Sequence, residues 1–254
     1  MDKLRKPFQG TWNIIRFNWH FYVLAFSAVI ILLLLKTNLN TSFHFALNIL
    51  IVLIIISTLI SLAVSCYIYD FSNLYKLSWL DNIHFNSNDT IVNVNAGFDE
   101  TSSLLKTKFS DAAFFVFDFY DPKKHTEVSI KRARKANLPF PHTQQTNTSR
   151  LPLQNNSADK IFAILSAHEI RNDNERISFF KELKRVLRPT GKIFVTEHLR
   201  DTANFMAYNF GFFHFHSKNT WLKTFHRSGL TITNEIKITP FITTFILNKN
   251  GTAS

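Results

Sequence analysis

Hydrophobic positions follow two different patterns along this chain. Between Arg16 and Lys36 run 19 residues without a formal charge, Phe17–Leu35, and their core from Phe21 to Leu35 is apolar apart from Ser27. A second uncharged run extends from Thr37 to Tyr69 and is densest from Ala46 to Val64. Each run supplies the roughly 20 residues that a helix needs to cross about 30 Å of hydrocarbon. The connection Lys36–Ser42 is short and polar. This pattern predicts a transmembrane helical hairpin. The basic start (Lys3, Arg5, Lys6) would also suit a signal peptide, but no A-x-A-like cleavage site follows Leu35 and a second apolar run begins almost at once. A buried soluble hairpin is the other alternative, and all-round apolar faces of this length argue against it. Lys3, Arg5, Lys6 and Arg16 precede the first span, whereas the connection carries only Lys36. The positive-inside rule therefore predicts a cytoplasmic N-terminus, and two spans return residues 70–254 to the same side. Trp12, Trp19, Tyr67, Tyr69 and Tyr75 fall near the expected interfaces, where amphipathic rings prefer to sit.

After Tyr69 the periodicity shortens and alternates. Ile91–Val94 reads as a strand, followed by a helical stretch with Leu104, Leu105 and Phe109. Ala113–Phe117 is an apolar run ending at Asp118, and Thr126–Ala136 is a polar helix candidate. Ile161–Leu165 reads as a buried strand. Residues 175–187 place Ile177, Phe180, Leu183 and Leu187 on one helical face, and Arg188-Pro189-Thr190-Gly191 should stop that helix. Ile193–Val195 is the next strand, ending at Glu197. Thr231–Ile238 and Phe241–Leu247 are two further strands separated at Pro240. Strands alternating with helices imply βαβ units and a mostly parallel sheet. We therefore expect residues 1–75 to form the hairpin and 76–254 an α/β domain. In such sheets ligands bind beyond the carboxyl ends of the strands. That places Asn95–Gly97, Asp118, Ser166–Glu169 and Glu197–His198 around one cleft.

Composition narrows the chemistry. The chain has 254 residues, 27 of them Phe and only six Gly, so a collagen-like or Gly-rich class is excluded. A formal charge of +11 suits an anionic partner such as a membrane surface, or simply a solvated basic surface. Lys123, Lys124, Lys131, Arg132, Arg134 and Lys135 cluster around one helix candidate, where anionic headgroups would attract them. No RNA module accompanies the charge, so no nucleic-acid partner is expected. Cys66 is the only cysteine, which excludes an intramolecular disulfide and a multi-Cys zinc site.

Four segments, in order, resemble class I S-adenosylmethionine-dependent methyltransferases of the type 11 subgroup. They are Ile91–Asp99 at the place of the first-strand glycine loop, Phe115–Asp118 as the second strand ending in an acid, Leu151–Ile161 before the fourth strand, and Phe180–Lys192 as the helix and turn before the fifth. The resemblance implies a Rossmann-like, mostly parallel seven-stranded sheet with helices on both faces. It also implies S-adenosylmethionine as cofactor, held by Asn93, Asn95, Gly97, Asp99, Asp118, Asn147 and Ser166. The family's loop usually reads acid-x-Gly-x-Gly-x-Gly. Here Asn93 stands for the acid, Asn95 for the first glycine and Asp99 for the last, so Gly97 alone remains. Asn tolerates the left-handed region, so Asn95 can keep the turn. Asp99 would either pair with the cofactor's ammonium group or block the site. Asp118 would accept hydrogen bonds from the ribose hydroxyls, and Asn147 would meet the adenine amine.

Methyl transfer needs alignment and a dry site, and a base only where the acceptor loses a proton. His168 is the candidate base and Glu169 its orienter, with a helix-start capping role as the alternative. His198, His214 and His216 lack a spacing that completes a metal set, so no metal is expected. The aromatic stretch 205–215 reads either as packing or as a lid over an apolar tunnel. With the hairpin, it suggests a small lipophilic acceptor at the cytoplasmic membrane face. The alternative is a catalytically inactive, membrane-tethered binding or scaffold protein of the same fold.

Overall fold

The computed structural model describes residues 5–249; Lys3, used above for orientation, lies outside them. Two long helices come first, α1 (Gln9–Asn38) and α2 (His44–Cys66), and a π-helical turn continues α2 to Phe71. Both are long and apolar enough to cross a membrane. Their apolar side chains point outward: Phe21, Leu24, Phe26, Ile31 and Leu34 on α1, and Phe45, Val52, Leu53 and Leu59 on α2, are exposed. Exposure of apolar surface on this scale marks a face meant for lipid or a partner.

α1 is not straight. Asn18 leaves helical geometry (φ −114°, ψ 18°), and its side-chain amide donates to the Ile14 carbonyl at 3.1 Å. The residues before this kink pack on the domain, with Gly10, Asn13 and Phe17 buried. The Asp70 carboxylate accepts from the amides of Gly10 and Thr11 at 2.8 Å each, satisfying two donors that a helix start otherwise leaves orphaned. A β-carbon at Gly10 would overlap Tyr69, so glycine is required for this approach. The hairpin is thus pinned to the chain that follows it.

The remainder alternates as the periodicity demands: β1 (Thr90–Asn95), α3 (Ser102–Lys108), β2 (Ala113–Asp118), α4 (Val128–Ala136), β3 (Gln144–Gln145), β4 (Ala158–Ile164), α5 (Asp173–Val186), β5 (Leu187–His198), α6 (Thr202–Tyr208), α7 (Lys218–Arg227), β6 (Leu230–Thr239) and β7 (Ile242–Lys249). The strands form one seven-stranded sheet in the order β3-β2-β1-β4-β5-β7-β6, parallel except for β7, which runs antiparallel to both neighbours. In the central strands β1, β4, β5 and β7 both faces are buried, so these read as near-continuous apolar runs. On one face Phe162 stacks on Phe194 with centroids 4.8 Å apart, beside Phe85 and Phe109. On the other, Phe179, Phe180, Trp221 and Phe225 cover Val92, Val94 and Val195. Phe117, Phe119, Phe162, Phe179, Phe180, Phe194, Phe225 and Phe245 are buried in this core, and each fully buried ring contributes about 1.5–3 kcal/mol.

One boundary differs from the sequence expectation. Arg188–Gly191 does not form a loop between helix and strand. Leu187 already pairs with Ala158, and a bulge between Ala158 and Lys160 absorbs the next residues before Lys192 pairs with Lys160. The Arg188 guanidinium meets Asp159 at 2.6 Å and holds this extension against β4.

Candidate functional site

The carboxyl ends of β1, β2, β4 and β5 converge, and most of the expected residues meet there. Gly97 lies just beyond β1 with φ +92°, a conformation that favours glycine. Asn95 holds this turn differently from expectation. It is not left-handed; instead its side-chain Oδ1 accepts from the Gly97 amide at 3.0 Å, an Asx turn. Asn93 is fully buried, and its amide donates to Thr101 Oγ1 (3.1 Å) and Ser102 Oγ (2.8 Å). Asp99 caps α3, its Oδ1 accepting from the amides of Thr101 and Ser102 at 2.9 Å each. Three polar atoms around this loop are buried without a partner: Asn93 Oδ1, Asn95 Nδ2 and Asp99 Oδ2. Unpartnered buried polar atoms are rare, and here they surround one turn.

Asp118, at the end of β2, faces the same loop. Its Oδ1 accepts from the Tyr120 amide at 2.8 Å, and its Oδ2 pairs with the Arg134 guanidinium reaching over from α4. Arg134 also lies 4.3 Å from the Tyr120 ring centroid, and a β-carbon at Gly97 would overlap its guanidinium. Arg134 therefore rests on both the acid and the glycine. Ser166 is buried, with its hydroxyl donating to the Val94 carbonyl at 3.0 Å. Asn147 stands apart. Its Oδ1 is taken by the amides of Ser149 and Arg150 and by the Ser149 hydroxyl, and the side chain belongs to a surface turn.

Past β4, Leu165 takes a left-handed conformation (φ 50°). This is costly for a branched side chain, and it leads into the short turn at residues 167–169. Glu197, at the end of β5, organises that turn: its Oε1 accepts from the amides of Ser166 and His168 at 3.2 Å, and its Oε2 meets His168 Nδ1 at 2.6 Å. His168 Nε2 lies 3.4 Å from Glu169 Oε1. Burial disfavours charge on His168, but Glu197 and Glu169 outweigh it and raise the imidazole to about 10. Burial likewise pushes Glu169 up, and the imidazolium more than offsets this, holding it at about 2. This pairing with two carboxylates favours the protonated imidazole, a hydrogen-bond donor. Of the histidines weighed for a metal, His198 bonds Tyr69 and Asn204, and His216 bonds Arg176; His214 joins His168 and Glu169.

His168 and Glu169 sit on the wall of a cavity of about 1000 Å³. Its other wall is the hairpin, an arrangement that periodicity could not show. α2 contributes Ser57, Ser61 and Ser65, spaced by four and so on one face, and α1 contributes Asn18, His20 and Tyr22. Tyr208 and Phe210, from the aromatic stretch, close a third side. Ser65 Oγ and Tyr208 OH are buried without partners. Glu100 ties hairpin to site, accepting from Arg5 (2.9 Å), Asn13 (3.0 Å) and Tyr75 (2.8 Å). The Arg132 guanidinium donates at 2.8 Å to the Phe17 carbonyl, next to the Asn18 kink. Much of the expected basic cluster is thereby engaged internally, with Lys124 on Glu175 as well.

A protein-family model described as a methyltransferase domain matches residues 99–195, beginning just after the altered loop. No curated protein matches the chain. Among solved structures, it is similar to a SAM-dependent methyltransferase from Aquifex aeolicus, with TM-score 0.52, 16% identity, and coverage of 70% of this chain and 93% of that one. It is also similar to the PH0226 protein of Pyrococcus horikoshii OT3, with TM-score 0.51, 14% identity, and coverage of 70% and 89%. S-adenosylmethionine is the cofactor to expect of this fold, and the residues present fit it. The unpartnered Asp99 Oδ2 suits an ammonium group and the unpartnered Asn95 Nδ2 suits a carboxylate, while the approach at Gly97 is occupied by the Arg134 guanidinium and opens only if that side chain moves.

Proposed function

We propose that this chain, whose sheet domain has the class I, type 11-like methyltransferase fold, transfers a methyl group from S-adenosylmethionine to a small lipophilic acceptor at the cytoplasmic face of a membrane. The observation that carries this reading is the cavity shared by the hairpin and the carboxyl ends of the strands. When bound, S-adenosylmethionine supplies an electrophilic methyl on a sulfonium. Asp99 and Asn95 would hold its amino-acid end, Asp118 its ribose, and Asn93 would hold the loop beneath it. The acceptor enters between α1 and α2, its apolar part against lipid-facing side chains and its polar end against Ser65, Tyr208 and the His168 imidazolium. The imidazolium donates to the acceptor and orients it, and where the acceptor is a hydroxyl the Glu169 carboxylate beside it would take the proton as the methyl leaves the sulfonium and a neutral thioether departs. Phe210, which is 85% exposed, and the aromatic residues around it would face the bilayer and help exclude water.

The inactive-scaffold alternative is favoured by one observation, the Arg134 guanidinium already resting on Asp118. The test uses the full chain in lipid nanodiscs with methyl-labelled S-adenosylmethionine and a membrane lipid extract. Label should pass into the organic phase, and Ser61→Phe, which fills the cavity, should abolish that transfer while leaving S-adenosylhomocysteine binding intact. Cofactor binding without any organic-phase label refutes the lipophilic acceptor; no cofactor binding at millimolar concentration refutes the enzyme.

A further inference from the structure

The three side chains on the cavity wall have an arrangement that methyl transfer does not require. The candidate ligand atoms of His168, Glu169 and His214 lie within 4.8 Å of one another. Glu169 Oε1 is 3.4 Å from His168 Nε2 and 3.8 Å from His214 Nε2. A tetrahedral ion with bonds of 2.0–2.2 Å holds its ligands roughly 3.4 Å apart, so both nitrogen–oxygen separations are already close to that value. Only the two imidazoles need to draw together, and His214 sits on a short, partly exposed turn.

Both rings are also oriented. His168 Nδ1 faces Glu197 Oε2 at 2.6 Å, and His214 Nδ1 faces Glu127 Oε1 at 2.5 Å. In a neutral ring, Nδ1–H donated to a carboxylate leaves the Nε2 lone pair free, which is the arrangement that supports metal-bound histidine. Both Nε2 atoms then turn toward Glu169. Two unrelated carboxylates, from β5 and from the start of α4, thus fix two imidazoles toward a third carboxylate. The cluster gathers three carboxylates, Glu127, Glu169 and Glu197, in a chain of net charge +11. The competing cation is Arg171, whose Nη2 lies 3.0 Å from Glu127 and touches both ring nitrogens of His214, Nδ1 more closely than Nε2 at 3.1 Å. Its side chain is 38% exposed and has solvent to move into.

We infer that His168, Glu169 and His214 form a binding site for one divalent transition cation of the zinc class, with Glu197 and Glu127 as its orienting outer carboxylates. Two imidazoles and one carboxylate leave at least one coordination position open, the pattern of zinc sites that also take a substrate oxygen, and here that position faces the cavity. The cation takes the place of the proton on His168, so positive charge stays at the same wall. Cation binding does not depend on the cofactor or on methyl transfer.

The test is a titration of the tag-free full chain in detergent, freed of metal by chelation and without cofactor, with Co²⁺ followed by visible absorption and Zn²⁺ followed by calorimetry. One equivalent should bind, with d–d bands of a four- or five-coordinate ion, and Zn²⁺ should bleach them. His214→Ala should remove the bands while thermal unfolding stays unchanged. Glu197→Gln should weaken binding 10–100-fold, and Arg171→Gln should tighten it. Absence of the bands, or binding that survives both His214→Ala and Glu169→Gln, overturns the inference. S-adenosylhomocysteine binding by the metal-free chain is measured separately, so that either reading can fail without the other.

Discussion

Under the proposed function, Arg134 is the residue on which cofactor access would turn. Its guanidinium pairs with the Asp118 carboxylate and covers Gly97, so a ribose diol and Arg134 compete for one acid. The Asp118 side chain is 6% exposed and that of Arg134 33%. A charge-assisted hydrogen bond contributes about 1.5–3 kcal/mol, and the partial exposure of Arg134 screens this to about 1–2 kcal/mol. A ligand must displace that interaction. Arg134→Ala removes the competitor and leaves Asp118 buried without a cationic partner, a deficit that two ribose hydroxyls relieve. S-adenosylhomocysteine should therefore bind Arg134→Ala about 5–30-fold more tightly than wild type. Asp118→Ala should abolish binding in either background, because the two changes act on the same contact. The assay is calorimetry on the full chain in detergent. Unchanged affinity in Arg134→Ala would refute the competition. Weaker affinity would make Arg134 a ligand of the cofactor. Failure of both proteins to bind would favour the scaffold alternative.

His198 is buried between Tyr69 and Asn204, and burial, with the nearby His168 and His214, pushes its imidazole down to about 3. The unfolded chain takes up the proton near 6.5, so stability is complete above that pH and falls as pH drops toward 3. At pH 5 the deficit is about 2 kcal/mol, and the gap in thermal stability between wild type and His198→Gln should shrink by that amount between pH 7.5 and pH 5. An unchanged gap would show that His198 is protonated in the fold. Glu100 accepts from Arg5, Asn13 and Tyr75, so Glu100→Ala strands a partly buried guanidinium and should cost about 3 kcal/mol. Glu100→Gln, whose one carbonyl oxygen can still accept from Arg5 and Asn13 while its amide nitrogen donates to the Tyr75 hydroxyl, should cost less, both read as unfolding temperature of the full chain.

The sheet was legible because its central strands are buried on both faces and its strands read as short apolar runs between polar helices; Ile91–Val94, Ala113–Phe117 and Ile161–Leu165 each lie within or nearly within an observed strand. The β5 extension was not, since Arg188-Pro189-Thr190-Gly191 carries turn-type residues locally and is held extended by pairing with β4 and by Asp159. Asp118 and Gly97 were legible from their positions after strands. Arg134, Glu127 and Glu100 were not, because each acts on a partner far along the chain or from another element: Arg134 read as one more cation in a basic helix, and Glu127 as the residue before it. The hairpin's polar face was hidden for a different reason. Ser57, Ser61 and Ser65 are too few to change the hydropathy of α2, and only their common spacing of four places them on the cavity.

The scarcity of glycine now has a physical reading at the loop itself. A glycine-rich loop presents free backbone amides to its ligand. Here the chain has already used such amides: Asn95 Oδ1 takes that of Gly97, and Asp99 Oδ1 takes those of Thr101 and Ser102. The side chains that replace glycine thus rigidify the turn and cap α3 without a ligand. Two atoms of these side chains, Asn95 Nδ2 and Asp99 Oδ2, are left buried and without a hydrogen-bond partner. A carboxylate at this position repels an anion and attracts an ammonium, so under the proposed function the loop would read the cofactor's amine through charge rather than its acid through amides. Selectivity should follow: a cofactor analogue lacking the amino group loses the Asp99 contact, and the penalty should vanish in Asp99→Asn.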